Sequence, residues 1–275
     1  MKKIVSIQGI KGSFHHIVAK TYFDDNIEID ECMSFDKLVD NLITKKSDVA
    51  IMALENSIAG SILPNYALID KFNLHIIGEY YLDIQHNLMA LPGQTIADIE
   101  EVYSHPMALL QCKAFFKAYP HIKLIEDKDT AETADRISKN NLKGVAAVAS
   151  KVAAEIFNLE ILAESIQTIK ENETRFVIVK TKNSVLEESE INKASLRFVV
   201  EHKRGSLASV LNVLSDCRMS LTKIQSLPKI ETPWKYAFFV DVTFSKYSHF
   251  EKAKSILNIM VKEFKILGEY KNAKL

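Results

Sequence analysis

The sequence predicts an α/β domain with mainly parallel strands, followed by a smaller module in which helices and strands follow a different order. Its 275 residues are enough for two separate hydrophobic cores. Short apolar segments alternate with helical patterns through the first two thirds of the chain, which is typical of a parallel sheet. A polar, charged segment then ends this alternation.

Periodicity and segment length indicate the elements of the first domain. Apolar runs of strand length predict strands at residues 3–8, 48–54, 74–80, 122–127, 144–149 and 174–180. Longer segments with apolar residues at helical spacing predict helices at residues 34–46, 106–119 and 131–141. The small residues of 144-GVAAVAS-150 favour a strand packed closely beneath helices.

The C-terminal third reads as a separate module. Residues 182–194 are polar and charged and form the best linker candidate in the chain. Beyond them the pattern is strand, helix, strand, strand, helix, strand, at residues 195–201, 205–217, 219–226, 234–244, 248–260 and 263–270. This βαββαβ order is ferredoxin-like. We therefore expect domains at residues 1–181 and 195–275.

Composition excludes several functional classes. The chain has 35 basic and 35 acidic residues, so we expect no basic surface for nucleic acid. No window approaches the roughly 18 apolar residues of a membrane helix, and the short apolar stretch after Lys2 and Lys3 lacks a cleavage site. The three cysteines are scattered without C-x-x-C spacing, which favours free thiols over a zinc site. We expect a cytoplasmic protein without a metal and without a membrane partner.

Polar residues cluster where predicted strands end, which is where open parallel sheets bind ligands. Each also has a possible structural role: Ser13 and Ser104 can cap helices, while Asn56 and Ser57 can form a turn. Thr130 follows Asp129 at a capping-box-like helix start. Few cations accompany these groups, so together they predict a groove that hydrogen-bonds a small polar anion.

The segment 171-ENETRFVIVK-180 places Asn172, Thr174 and Arg175 at the start of a buried strand. A hydroxyl beside a guanidinium suits anion binding, although these residues alone favour a plain strand start that reaches solvent. No Ser-His-Asp spacing, metal cluster or cofactor fingerprint is present. The residues themselves predict a small-anion site and leave its chemistry open.

Five ordered motifs resemble prephenate dehydratases. They are 12-GSFH-15, 53-ALENSIAG-60, 103-YSHPMALLQC-112, 146-AAVASKVAAEIFNLEIL-162 and the N-x-T-R-F signature at Asn172, Thr174, Arg175 and Phe176. The C-terminal module resembles the amino-acid-sensing ACT domain of that family, with 205-GSLASVL-211 and 221-LTKIQSLP-228. Chance does not explain five matches in order.

The resemblance implies a fold and an activity. The catalytic domain is expected to be two-lobed and periplasmic-binding-protein-like (type II), with one lobe at residues 1–80 and 165–181 and the other at residues 81–164. The implied reaction is cofactor-free conversion of prephenate to phenylpyruvate. Thr174 is the implied catalytic hydroxyl, and the implied substrate-binding residues are Arg175, Asn172, Asn56, Ser57, Ser13, Ser104 and Thr130.

The resemblance also implies regulation and assembly. Phenylalanine is the expected effector, at Gly205, Ser206, Leu207, Ala208, Ser220 and Leu221. Gln225 and Leu227 depart from the family's E-S-R-P, so effector binding is less firmly implied than dehydration. The ACT-like module is expected to pair with itself in a homodimer or homotetramer.

Two other functions remain open on the sequence. Arogenate dehydratases carry out the same chemistry on the amino analogue of prephenate, and no residue here separates the two substrates. A non-catalytic two-lobed sensor of amino acids or small acids would share the fold, although the Thr174–Arg175 pair favours an enzyme.

Overall fold

A computed structural model describes residues 2–182, 187–229, 232 and 234–274 of the chain. Its strands are β1 (Lys3–Gln8), β2 (Ile27–Cys32), β3 (Val49–Asn56), β4 (Gly60–Ser61), β5 (His75–Asp83), β6 (Asn87–Ala90), β7 (Glu101–Ser104), β8 (Lys123–Glu126), β9 (Val145–Ala149), β10 (Glu160–Ala163), β11 (Glu173–Lys180), β12 (Lys193–Val199), β13 (Ser220–Pro228), β14 (Tyr236–Thr243) and β15 (Glu263–Tyr270). Its helices are α1 (Phe14–Phe23), α2 (Phe35–Ile43), α3 (Leu63–Lys71), α4 (Pro106–Phe116), α5 (Thr130–Lys139), α6 (Lys151–Ile156), α7 (Ser206–Asp216) and α8 (Tyr247–Met260).

The chain forms two compact units. The first unit consists of Met1–Gly60 and Tyr81–Phe176, and the second consists of Ser61–Tyr80 and Val177–Leu275. In these units residues 61–80 group with the C-terminal residues, whereas the sequence placed residues 1–181 in one domain. The limits of the domains stay a prediction.

The first sheet of the first unit is parallel where β1 pairs with β2 and with β3. Strand β11 lies beside β3 on the opposite side from β1. Residues 49–54 of β3 are all buried, as expected for a parallel strand covered on both faces. The long apolar run in the sequence therefore marks the centre of this sheet.

The second sheet of this unit has the order β10-β6-β9-β7-β8. Strand β7 pairs in parallel with β8 and β9, whereas β6 is antiparallel to β9 and β10. Ala147 and Ala149 on β9 pack against Ala131 and Ala134 of α5 in one buried cluster. The small residues allow helix and strand to approach closely, as the sequence predicted.

The second unit has the predicted βαββαβ order. The elements follow one another as β12, α7, β13, β14, α8 and β15. The four strands form an antiparallel sheet in the order β13-β14-β12-β15. Strand β15 also pairs with β5 at Gly268 and Ile76. A Cβ atom on Gly268 would lie 2.2 Å from the carbonyl oxygen of Ile76, so only glycine fits this approach.

Ion pairs join residues 61–80 to the C-terminal elements of the second unit, and the most buried of them is Glu79–Lys193. The Lys193 ammonium lies 2.8 Å from a carboxylate oxygen of Glu79, and the two side chains are 3% and 0% exposed. Asp70 pairs with Lys265 at 2.9 Å and with Arg197 at 3.2 Å. Arg197 also pairs with Glu263. We call Glu79, Lys193, Asp70, Arg197, Lys265 and Glu263 the ion-pair network.

The predicted linker at residues 182–194 lies partly outside the described residues. Residues 183–186 lie outside the described residues, and Glu188–Glu190 form one turn of 3-10 helix. Strand β12 begins at Lys193, inside the predicted linker, because the Lys193 side chain is held by Glu79 and Ala194 is fully buried. The sequence did not predict this strand start because the residues before it are polar and charged.

Several elements were not predicted, namely β2, β4, β6, β7, β10 and α3, and α6 was expected only from the family resemblance of residues 146–162. Strand β2 alternates apolar with acidic residues, and its Asp30 accepts hydrogen bonds from Ser6, Asn41 and Lys46 at 2.6–2.7 Å. These partners come from other elements, so the strand is stabilised by tertiary contacts that local sequence does not reveal. The six residues of α6 are too few to show a helical period.

No described helix is both long enough and apolar enough to cross a bilayer.

Candidate active site

The candidate site forms where β3 and β11 lie side by side, and Asn56 at the end of β3 is its centre. The Nδ2 atom of Asn56 donates to Asn172 Oδ1 at 2.7 Å and to Thr174 Oγ1 at 2.9 Å. The chain then turns sharply, since Asn56 Oδ1 accepts the backbone N–H groups of Ile58 and Ala59 at 3.0 and 2.8 Å. The predicted turn at Asn56 is confirmed, and its side chain also holds the next strand.

Backbone geometry fixes the direction of every hydrogen bond in this network. Because backbone N–H groups only donate, the oxygen of Asn56 must face Ile58 and Ala59, and its nitrogen must face Asn172 and Thr174. The atom of Asn172 that receives this nitrogen is therefore Oδ1. Its Nδ2 atom then donates to Gln111 Oε1 at 2.9 Å.

Gln111 connects this network to His86, which lies just before a strand of the second sheet. Gln111 lies on α4, and its Oε1 atom is 2.9 Å from Nε2 of His86, which precedes β6. Since an amide oxygen can only accept, His86 must carry its proton on Nε2. Burial lowers the pKa of His86, which favours the neutral imidazole. We call Asn56, Asn172, Thr174, Gln111 and His86 the amide network.

The hydroxyl of Thr174 is left able to donate. Its oxygen accepts from Asn56, and among the described residues no acceptor takes its proton. The side chain is 7% exposed. In the same way, no acceptor in the described part of the chain takes the two N–H bonds of Gln111, whose side chain is half-buried. The network therefore ends in neutral donors.

Arg175 does not share a face with Thr174. Side chains alternate along a strand, and Asn172, Thr174 and Phe176 all face the side of Asn56 and of His15. Arg175 is 3% exposed and faces the other side, as does Glu55, which precedes Asn56 on the neighbouring strand. The pleat thus separates the tandem pair that the sequence presents together.

Ser57 and Asn172 serve mainly to join the two strands. The Ser57 hydroxyl accepts the backbone N–H of Glu173 at 3.0 Å, while the Ser57 N–H donates to the Glu173 carbonyl at 2.8 Å. Asn172 is fully buried, and its carbonyl accepts from the Ile84 backbone N–H at 2.6 Å. Of the two, only Ser57 is exposed to a ligand.

Ser13 lies at a close contact between the two sheets of this unit. Its hydroxyl caps α1 by accepting the His16 N–H at 3.2 Å, which confirms the predicted cap. Next to it, the Ser150 hydroxyl donates to the Gly12 carbonyl at 2.6 Å. Gly12 has φ of +91°, and a Cβ there would lie 3.0 Å from Ala153, so glycine is required.

Ser104 and Thr130 lie on the second sheet's side, and their hydroxyls face different surroundings. Ser104 is fully buried and donates to the Val148 carbonyl at 2.6 Å. The prediction that Ser104 caps α4 is wrong, because His105 Nδ1 accepts from the Met107 N–H. Thr130 is the first residue of α5, which Asp129 caps as predicted, accepting from Ala131 and Glu132. Substrate contacts by Ser104 and Thr130 stay predictions.

Burial controls the charge of the titratable groups around this site. His15 packs edge-on against Phe176 of β11, and burial lowers its pKa to about 3. Burial raises the pKa of Asp129, although two backbone N–H groups oppose this. No group of three potential metal ligands occurs among the described residues. The amide network itself offers uncharged amide and hydroxyl groups, which act by hydrogen bonding.

The predicted effector residues lie on two elements of the second unit. Gly205 caps α7 with φ of +82°, and Ser206, Leu207 and Ala208 follow in the first turn. Ser220 and Leu221 begin β13, where both are exposed. The N–H groups of a helix start are suited to an anion such as an amino-acid carboxylate.

Sequence reasoning missed two members of the amide network. Gln111 lies within the motif 103-YSHPMALLQC-112, but a glutamine in a helix carries no spacing signal of its own. His86 lies in 84-IQHN-87, where nothing in the sequence distinguishes it. Only the folded geometry brings Gln111 to Asn172 and His86 to Gln111.

Comparison with known proteins gives a consistent result. Residues 5–184 match the family model described as prephenate dehydratase. The chain is 32% identical over 278 aligned positions to a bifunctional chorismate mutase/prephenate dehydratase of Buchnera aphidicola subsp. Acyrthosiphon pisum, covering 98% of this chain and 71% of that relative. It is 35% identical over 246 positions to the chloroplastic arogenate dehydratase/prephenate dehydratase 2 of Arabidopsis thaliana, covering 86% and 64%. A prephenate dehydratase of Arthrobacter aurescens, solved in complex with L-Phe, has the same fold, with a TM-score of 0.89, 22% identity and coverage of 98% and 90%.

Proposed function

The chain belongs to the prephenate dehydratase family, and we propose that it converts prephenate to phenylpyruvate with loss of water and carbon dioxide. Prephenate carries a ring carboxylate, a pyruvyl carboxylate and a hydroxyl group on a cyclohexadiene ring. The bond to the ring carboxylate breaks, its electron pair enters the ring, and the C–O bond to the hydroxyl breaks. The leaving oxygen takes a proton and departs as water. Aromatisation drives the reaction.

The observation that carries this proposal is the unused hydroxyl proton of Thr174. A leaving hydroxyl develops negative charge, and a fixed donor stabilises that charge in the transition state. Asn56 holds the Thr174 oxygen from behind at 2.9 Å, which aims the proton away from the network. A threonine is too weak an acid to give up its proton alone, so we assign it a donated hydrogen bond or a relay.

We assign supporting roles to the side chains around Thr174. The N–H bonds of Gln111 supply a second donor, and Ser57, Ser13 and Thr130 are further candidates for contacts with substrate. Arg175 faces away from Thr174, so we assign it a structural role that buttresses the loop and not the anchoring of a carboxylate. No metal or cofactor is assigned, since elimination with aromatisation needs only donors and orientation.

The test is turnover of prephenate, followed by the absorbance of phenylpyruvate. We expect Thr174→Ala to lower kcat by roughly 10² to 10⁴-fold, which is the usual contribution of a positioned proton-transfer group. Thr174→Ser keeps the hydroxyl and is the matched control, for which we expect much smaller losses. A parent protein that binds prephenate without product would instead be a sensor.

Arogenate is the second candidate substrate, favoured by the similarity to the Arabidopsis thaliana arogenate dehydratase/prephenate dehydratase. Prephenate and arogenate share the ring that loses its carboxylate and hydroxyl, and we assign the donors at Thr174 and Gln111 to that ring. Comparison of kcat/KM for prephenate and arogenate, in the same preparation, ranks them. A ratio in favour of arogenate would change the substrate and leave the mechanism in place.

We propose that the second unit is an ACT-like regulatory module that binds an amino acid, with phenylalanine as the first candidate. The Arthrobacter aurescens relative was solved with L-Phe, and the predicted residues at the starts of α7 and β13, which are exposed or half-buried, are candidates for the contact. Strand β13 forms the edge of its sheet, and an unpaired edge is suited to a homodimer or homotetramer. We place the protein in the cytoplasm. Calorimetry with L-Phe tests binding directly.

A further inference from the structure

His86 occupies a position that is unexplained by its packing alone. Its side chain is 4% exposed and its ring lies edge-on to Phe14, with ring centroids 5.7 Å apart. The Nδ1 atom is buried without a hydrogen-bond partner among the described residues. An unpaired buried nitrogen is unfavourable, so an apolar ring such as phenylalanine would fit this packing better. The reason for a histidine at this position must therefore lie in the contact that its other nitrogen, Nε2, makes.

That other nitrogen meets Gln111. The distance from His86 Nε2 to Gln111 Oε1 is 2.9 Å, and Asn172 Nδ2 reaches the same oxygen at 2.9 Å. Two donors on one oxygen hold the Gln111 amide in a single orientation, with its NH2 group turned away from both. If either donor were lost, the amide could rotate and present its oxygen in place of its N–H bonds.

We propose that His86 is a positioning residue for the dehydratase reaction. As the neutral Nε2–H tautomer it donates to Gln111 Oε1 and thereby keeps the Gln111 NH2 group directed at the bound substrate. His86 itself does not touch the substrate. This inference rests on the proposed function, because it assigns Gln111 a donor role toward an oxygen of prephenate.

The tautomer is tested first, in the parent protein without substrate. Nitrogen-15 NMR of histidine-labelled protein distinguishes a protonated, pyrrole-type nitrogen from a bare, pyridine-type nitrogen. We expect the pyrrole-type signal at Nε2 of His86 and the pyridine-type signal at Nδ1, with assignment by their loss in His86→Gln. A proton on Nδ1 would overturn the proposal whatever the enzyme's activity.

Two substitutions then test the role in turnover. His86→Phe keeps the ring packing but removes the donor, and we expect kcat to fall by about 10- to 100-fold, the size of effect that misplacement of a reacting group produces. We expect KM to change less and thermal stability to be unchanged or raised. His86→Gln restores an N–H donor near the former Nε2 position and should recover most of the lost turnover.

The outcomes separate this proposal from the proposed function. His121→Phe, at an exposed histidine of the same unit, is the control and should retain parental kcat. Parental kcat in His86→Phe, or a folded His86→Gln as inactive as His86→Phe, would contradict the positioning role. If His86→Phe does not fold, the tautomer and His86→Gln decide. Failure of the parent to turn over prephenate or arogenate would instead contradict the proposed function.

Discussion

Two polar networks of this protein are built from opposite kinds of side chain. The amide network of the first unit consists of neutral groups, and it ends at Thr174 and Gln111 with protons that no described acceptor takes. The ion-pair network of the second unit consists of full charges, each opposite an oppositely charged partner. The comparison shows two uses of polar side chains. The amide network orients donors at the site, whereas the charges of the ion-pair network neutralise one another within the second unit.

The largest effect on stability is expected from breaking the ion-pair network. Lys193→Met removes the ammonium that lies 2.8 Å from the Glu79 carboxylate, which is 0% exposed. Removal of one partner of a buried pair costs about 3–5 kcal/mol, because the remaining buried charge loses the attraction of that ammonium. Urea unfolding measures this loss.

The double variant Lys193→Met with Glu79→Met is the matched control for this prediction. It removes both charges, so we expect it to recover most of the free energy of unfolding lost by Lys193→Met. A loss below about 1 kcal/mol in the single variant would mean that water reaches Glu79 and that this pair resembles an exposed one.

A smaller effect is expected from acid acting on the first unit, through His15. Burial lowers the pKa of His15 from 6.5 to about 3, so the folded state disfavours the charged form. A depressed pKa means that this contribution to stability is fully present above pH 6.5 and is lost as the pH falls toward 3. The loss at pH 5 is about 2 kcal/mol.

Replacement by an uncharged side chain tests this pH dependence. In His15→Gln the slope of unfolding free energy against pH between about 6.5 and 3 should become shallower by about one proton. Urea unfolding at several pH values measures the slope. The same slope in parent and variant would show that His15 does not contribute to the loss of unfolding free energy in acid.

The smallest effect is expected from placing a charge in the neutral network. In Asn56→Asp the carboxylate cannot donate to Thr174 Oγ1, and it accepts the hydroxyl proton instead. That proton is then directed away from the substrate, so we expect kcat to fall by roughly tenfold or more. Asn258→Asp, at an exposed site on α8, controls for the added charge. Retained kcat in Asn56→Asp would show that the Thr174 proton needs no orientation by Asn56.

Much of the architecture could be predicted from local pattern, and the exceptions share a cause. The βαββαβ order and the central strand β3 were visible as periodicity and apolar runs. Strand β2 was not, because its acidic residues are stabilised by Ser6, Asn41 and Lys46 from elsewhere in the fold. Local pattern reports burial against neighbours in sequence, and it is silent about partners that arrive from other elements.

The site shows the same division between residues and their roles. The sequence by itself determined the family and selected Asn56, Asn172 and Thr174, which the fold brings into one network. Only the tertiary structure turned Arg175 away from Thr174, used the Ser104 proton on Val148, and added Gln111 and His86. The physical reason is that a side chain's chemistry belongs to the residue, whereas its free protons and its direction depend on which distant atoms it meets after folding.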